Sequence, residues 1–280
     1  MTTAIDGLTS PTLKHLREHW WDDEFTEFLA ETLKPRPGNR ILDVGCGEGL
    51  AEVSIGHLHI SQIRLVGVDL VVSKVIAAAR EAASHNQRVR FAAADACQLP
   101  FATGAFDSLF CVAVLQHIGD VNLALAECAR VTARGGRVVA VEPDNSARYG
   151  FSSAPSGRAA FEASQRFFSA LAAARHERTD AAIGPKLPEL FARHDIDPIG
   201  VRLFPVYQTR LGAPLPAVWD DRRQAIERLL PQAGSDDARA RGREYLDVLA
   251  AYEREATAAG PRFVEIQNTM LFATVGQKGS

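Results

Sequence analysis

This 280-residue chain is short of several things, and each shortage removes a class of function. Basic residues are not in excess. Lys and Arg number 31 against 34 Asp and Glu, a formal net charge of −3, which gives no support for bulk nucleic-acid binding through a basic surface. No apolar run approaches the roughly 18 residues expected of a membrane span. The start, Met1-Thr-Thr-Ala-Ile-Asp-Gly7, has neither the basic opening nor the apolar block of a signal peptide. The expectation is therefore a soluble, cytoplasmic protein. Cysteines are only four, Cys46, Cys97, Cys111 and Cys128, and none has the C-x-x-C spacing of a metal site. No metal is expected. Cys46 and Cys111 read as reduced, small apolar fillers. Internal repeats and low-complexity tracts are absent.

Hydrophobic residues make up 46% of the chain, enough to bury one substantial core. The rest is organised around Arg40-Ile-Leu-Asp-Val-Gly-Cys-Gly-Glu-Gly49. Its apolar run reads as a buried parallel strand ending in a glycine turn, and Leu50-Ala-Glu-Val-Ser-Ile55 reads as the start of a helix. Such a turn lets the backbone approach a ligand, and the helix start offers free N–H groups. The dinucleotide fingerprint G-x-G-x-x-G is missing its third glycine, because position 50 is Leu50. Asp43, two residues before the first glycine, is a poor neighbour for a pyrophosphate and suits a ligand that carries positive charge.

Strands and helices then alternate. A second strand, Ile63 to Asp69, ends in an acid about 20 residues past the glycines, where a doubly wound fold delivers the residue that reads a ribose. A cap on the following helix is the plainer role for Asp69. The spacing of Val72, Val75, Ile76 and Ala79 predicts the apolar face of that helix. A third strand, Val89 to Ala94, delivers Asp95-Ala96. A fourth, Phe106 to Ala113, is followed by Val114-Leu-Gln-His-Ile118. Helix Val121 to Thr132 leads into a fifth strand, Arg137 to Pro143, and Glu142 stands at the sheet edge where open α/β folds place ligands.

In the pattern Asp43-x-Gly45-x-Gly47-x-Gly49, then Asp69, Asp95 and the apolar segment after strand four, the chain resembles the class I S-adenosylmethionine (SAM) methyltransferases. It is most similar to the group that includes ubiquinone/menaquinone-biosynthesis and other small-molecule methyltransferases. The likeness is specific from Asn39 to Pro143. It implies SAM as cofactor, bound by Asp43, Gly45, Cys46, Gly47, Asp69, Leu70, Asp95, Ala96, Val112 and Gln116. Asp95 would take the adenine amino group, and the next N–H would meet the ring. It also implies a mostly parallel seven-stranded Rossmann-like sheet, with a last strand antiparallel after the sixth.

Methyl transfer to a carbon already activated by a sulfonium needs alignment more than a catalytic side chain. A base is required only for an acceptor that must lose a proton. His117 and His19 are the candidates, followed by His15 and Glu142, since imidazole titrates near neutral pH. His15, Trp20, Trp21, Glu142 and Tyr149 are candidates to line a substrate pocket, the aromatics facing a sulfonium through cation–π contact. Each also has a plain packing role.

The remaining chain divides into an N-terminal helical lid (1–38), a SAM-binding core (39–150), and helical cap elements with the last two strands (151–280). Ser10-Pro11 opens a first short helix; Trp21, Phe25, Phe28, Leu29 and Thr32 share the face of a second. Tyr149 to Gly157 reads as a turn-rich linker. Arg158 to Arg178 reads as a helix with Phe161, Phe168 and Leu171 on its apolar side, its arginines on a solvated face. Strands are expected at Gly200 to Tyr207 and Ile266 to Val275. The expected function is methyl transfer to an O, N, S or C nucleophile of a small molecule, by a monomer or homodimer. The alternatives are a macromolecular (protein or RNA) methyltransferase, disfavoured where Val112-Ala-Val-Leu replaces an Asn/Asp-Pro-Pro-Tyr/Phe motif, and a SAM-binding but inactive partner module.

Overall fold

The first strand, β1 (Arg40–Val44), is buried at every position after Arg40, as expected for the centre of a parallel sheet covered on both faces. The structure, a computed structural model, describes residues 21–57, 63–85, 87–174 and 180–279. His15, His19, Trp20 and the first expected helix lie outside the described residues. Seven strands form one sheet in the order β3-β2-β1-β4-β5-β7-β6: β2 (Arg64–Asp69), β3 (Arg90–Ala93), β4 (Phe106–Val112), β5 (Thr132–Ser152), β6 (Ile196–Leu211) and β7 (Val264–Lys278). The pairs β1–β2, β2–β3, β1–β4 and β4–β5 are all parallel. The chain runs outward from β1 to β3 and restarts beside β1 at β4, so the order reverses between β1 and β4. Open α/β sheets bind ligands at that switch point, beyond the carboxyl ends of the strands.

The helices are α1 (Asp23–Leu33), α2 (Leu50–His57), α3 (Val72–Ser84), α4 (Val121–Val131), α5 (Gly157–Ala174), α6 (Leu187–Arg193), α7 (Pro216–Leu229) and α8 (Asp236–Ala259). The chain divides into two compact units. The first comprises residues 1–146, 180–204 and 270–280, and the second residues 147–179 and 205–269.

In the first unit, Leu42, Val44, Leu109, Val138 and Ala140 pack with Leu125 and Cys128 of α4 and Leu187 and Phe191 of α6. Helix α1 begins at Asp22, whose carboxylate accepts from Phe25 N at 2.8 Å. Phe25, Phe28 and Leu29 are buried, and Phe25 and Phe28 meet Phe204 edge-on at 5.2 and 5.0 Å. Trp21 is half-buried and stands edge-on to Phe25 at 5.0 Å.

The second unit has its own core, in which Phe167, Leu171, Trp219, Ile226, Leu249, Tyr252 and Phe263 are buried together. Inside it Glu265 is buried and bound by Arg222, at 2.7 and 3.1 Å, and by the Tyr252 hydroxyl at 2.7 Å. Burial pushes the Glu265 carboxyl up, but Arg222 first, then Tyr252 and Arg210, outweigh it and hold the pKa below the usual value.

Three expectations are corrected. Helix α3 buries Ala78 and Ala82, whereas Val72, Ile76 and Ala79 are exposed and Val75 is half-buried. A Cβ on Gly49 would meet the Ala78 backbone at 3.0 Å, so this close approach demands alanines and turns the larger side chains outward. Helix α5 buries Phe167 beside Leu171 and leaves Phe168 exposed and Phe161 half-buried. Finally, β5 continues through Ser152, so the expected linker starts as strand; its glycine, Gly150, serves close packing, since a Cβ there would lie 2.5 Å from Phe161.

Candidate active site

Three glycines build the turn after β1, each for a different reason. Gly45 has φ +81°, and a Cβ on it would lie 2.3 Å from the Val114 side chain. Gly47, at φ +56°, faces open space, with nothing within 4 Å of such a Cβ. Gly49 faces α3 as described. The turn is pinned to β2 by Gly45 N and Cys46 N, which both donate to Val68 O at 2.7 and 2.9 Å. Cys46 is a buried free thiol, its pKa pushed up by burial and then by Asp43, Glu52 and Asp69.

The strand ends bring their acids to the same edge. Asp69, half-buried at the end of β2, accepts from Gly47 N through Oδ2 at 3.0 Å and from Val71 N through Oδ1 at 2.8 Å. It thus ties the glycine turn to the start of α3. Leu70 beside it is 61% exposed. Asp95 is exposed past β3, with Oδ1 accepting from Cys97 N at 2.8 Å, and Ala96 is half-buried.

After β4, half-buried Val112 leads into Ala113, which takes φ +55° despite its Cβ and donates to Val141 O at 2.8 Å. A single turn of 3-10 helix follows, Leu115–His117. Glu142 holds it: fully buried on β5, its Oε1 accepts from Val114 N at 2.8 Å and Leu115 N at 2.7 Å. Glu142 is therefore engaged with backbone under the turn and is not a pocket wall. Gln116 is buried, its Oε1 accepting from Asn145 Nδ2 at 3.0 Å, and His117 is exposed at the turn's end. Tyr149 is 57% exposed in the second unit, its N–H donating to Asn268 Oδ1 at 3.3 Å.

Asp43 points to one face of the sheet in a row set by strand register: Phe110 on β4, Asp43 on β1, Gly67 on β2 and Phe91 on β3. The gap at Gly67 is filled from α2 by Glu52, whose Oε1 would lie 2.5 Å from a Cβ there. Asp43 is 2% exposed and Glu52 0%. Among the described residues no donor from another residue is hydrogen-bonded to either Glu52 oxygen, and its carboxyl lies within interaction reach of Asp43. Burial raises the Asp43 carboxyl well above the usual range, with Glu52 and then Asp69 adding to it. Burial likewise raises Glu52 to about 7, against smaller opposing hydrogen bonds. Sequence reasoning missed Glu52. The available signal was Gly67 inside Leu65-Val66-Gly67-Val68, since a glycine within a strand marks a close approach. Among the described residues no group of three or more His, Cys, Asp or Glu is placed to hold a metal, and no helix is long and apolar enough to cross a membrane.

This geometry agrees with what the chain is similar to. The methyltransferase-domain family matches residues 42–140. A 27-O-demethylrifamycin SV methyltransferase of Amycolatopsis mediterranei is 32% identical over 146 residues, covering 48% of this chain and 52% of its own. The chain spans about half the length of the curated relatives it matches. Among solved structures, the [4+2]-cyclase SpnF is similar with a TM-score of 0.54 at 20% identity, over 92% of this chain and 81% of its own. Phosphoethanolamine N-methyltransferase 2 of Haemonchus contortus, solved with S-adenosylhomocysteine, has a TM-score of 0.55 at 16% identity, over 100% of this chain and 61% of its own. At such identities the structural likeness speaks for the fold. The match to the methyltransferase-domain family is confined to residues 42–140, about a third of the chain.

Proposed function

We propose that this protein is a SAM-dependent methyltransferase acting on a small molecule. The observation that carries the reading is the row of acids at the carboxyl ends of β1, β2 and β3, gathered around a glycine turn whose Gly47 face is open. The residues fit the cofactor. Asp69, although it already accepts from two backbone N–H groups, keeps lone pairs on both oxygens for the ribose hydroxyls. Exposed Leu70 supplies an apolar surface beside it, and Asp95 with the Ala96 N–H suits the adenine edge. The buried negative charge at Asp43 suits a cationic amino-acid end lying over Gly45 to Gly47.

The bound cofactor supplies the activated methyl group; the chain's task is alignment and exclusion of water. Glu142 holds the turn after β4, and Val114 of that turn packs on Gly45, so the two walls of the site are in direct contact. His117, exposed at the end of the same turn, is the residue proposed to accept a proton from the acceptor. His15, His19, Trp20 and Trp21 are proposed as lid residues.

The test is incubation of the purified protein with SAM carrying a deuterated methyl group and a metabolite extract of the source cells. A labelled small molecule found by mass spectrometry names the acceptor. Label appearing only in protein or RNA, or nowhere although SAM binds, contradicts the small-molecule reading.

A further inference from the structure

Glu52 is not accounted for by alignment alone. A helix residue facing the sheet is ordinarily apolar, and replacing an unpaired buried carboxyl by a hydrophobic side chain is ordinarily stabilising. Here Glu52 lies over Gly67, between Asp43 and Phe91, with no donor from any other described residue. The charged and titratable groups that act on Asp43 are Glu52 from α2 and Asp69 from the end of β2. The thiols of Cys46 in the turn and Cys111 on β4 in turn register Asp43. None of these is a cation.

We propose that Glu52 is a positioning residue that acts through Asp43: the two share one proton in the free protein, and a cation bound at the glycine turn expels that proton to solvent. The ligand is thereby drawn to a buried pair whose charge goes from −1 to −2 as the ligand's positive charge arrives. The inference rests on the SAM reading for the identity of the cation. The raised Glu52 carboxyl, at about 7, puts this exchange in the physiological range, and the two protons belong to the pair as a unit. Two carboxyls in contact cannot both ionise until an opposite charge compensates them.

The experiment has two arms, each run on the wild type, Glu52→Gln and Asp43→Asn. Infrared titration of the ligand-free protein follows buried protonated carboxyl. The expected result is a protonated-carboxyl band at pH 7 that fades as pH rises and whose midpoint shifts in Glu52→Gln, or in Asp43→Asn should the first variant fail to fold, because burial still raises the carboxyl that remains. Calorimetry with SAM in buffers of different ionisation enthalpy then counts protons. The wild type is expected to release protons on binding near pH 7 and to bind more tightly as pH rises from 6 to 8, whereas Glu52→Gln releases fewer protons and depends less on pH. Absence of the band, or equal proton release by the variant, overturns the proposal. Wild-type protein that shows the band but does not bind SAM overturns the cofactor reading instead, and with it the cation-driven step, while leaving the shared proton established.

Discussion

The two units bury carboxyl groups in opposite ways. In the second unit Glu265 is enclosed with a bidentate arginine and a tyrosine hydroxyl, and its charge is met within the chain. In the first unit Asp43 and Glu52 are as deeply buried, and among the described residues no cation acts on either. Their titration differs accordingly. Glu265 is held below its usual pKa, so its contribution to stability is present above the unfolded value and lost as pH falls through the folded one. The Asp43–Glu52 pair is held above, so its contribution is present in acid and lost as pH rises towards about 7. The internally satisfied charge belongs to the scaffold, and the unsatisfied one lies where the cofactor site is proposed.

Substitutions break this contrast from either side. Arg222→Ala strands the Glu265 charge and is expected to cost about 3–5 kcal/mol by urea unfolding; a loss below about 1 kcal/mol would mean that Glu265 is not held by Arg222. The second effect is a pH difference. Because the native pair binds more protons than the unfolded chain between about 4.5 and 7, wild-type stability relative to Glu52→Gln should fall across that window, by on the order of 3 kcal/mol. Parallel pH curves would place Glu52 outside the titrating pair. Third, His117→Ala should keep SAM affinity and lower turnover of the identified acceptor about 100-fold, and unchanged turnover would return His117 to a surface role. The smallest expected effect is that of Asp69→Ala, which should weaken SAM binding at least tenfold, about 1.4 kcal/mol. An unchanged dissociation constant would remove Asp69 from the ribose.

Much of the first unit was legible because local rules and global fold agree there. Ile41, Leu42 and Val44 are buried as a parallel strand should be, and Asp43, Asp69 and Asp95 stand at or just past three successive strand ends as their spacing implied. What escaped depended on contacts that no period encodes. Ala78 faces the glycine turn instead of Val72 and Ile76 because backbone approaches backbone there. Glu142 reads from sequence as an edge acid, but its partners are amides 26 to 28 residues earlier in the chain. Glu52 sits in an apolar helix where periodicity predicts nothing special, and only Gly67 on the facing strand makes room for it.

The account stands most directly on ligand binding by the intact chain. Calorimetric titration of the wild type with SAM, alongside NADH as the competing dinucleotide, is predicted to give saturable one-to-one binding of SAM and none of NADH. Binding of NADH, or no binding of SAM by folded protein, would contradict it.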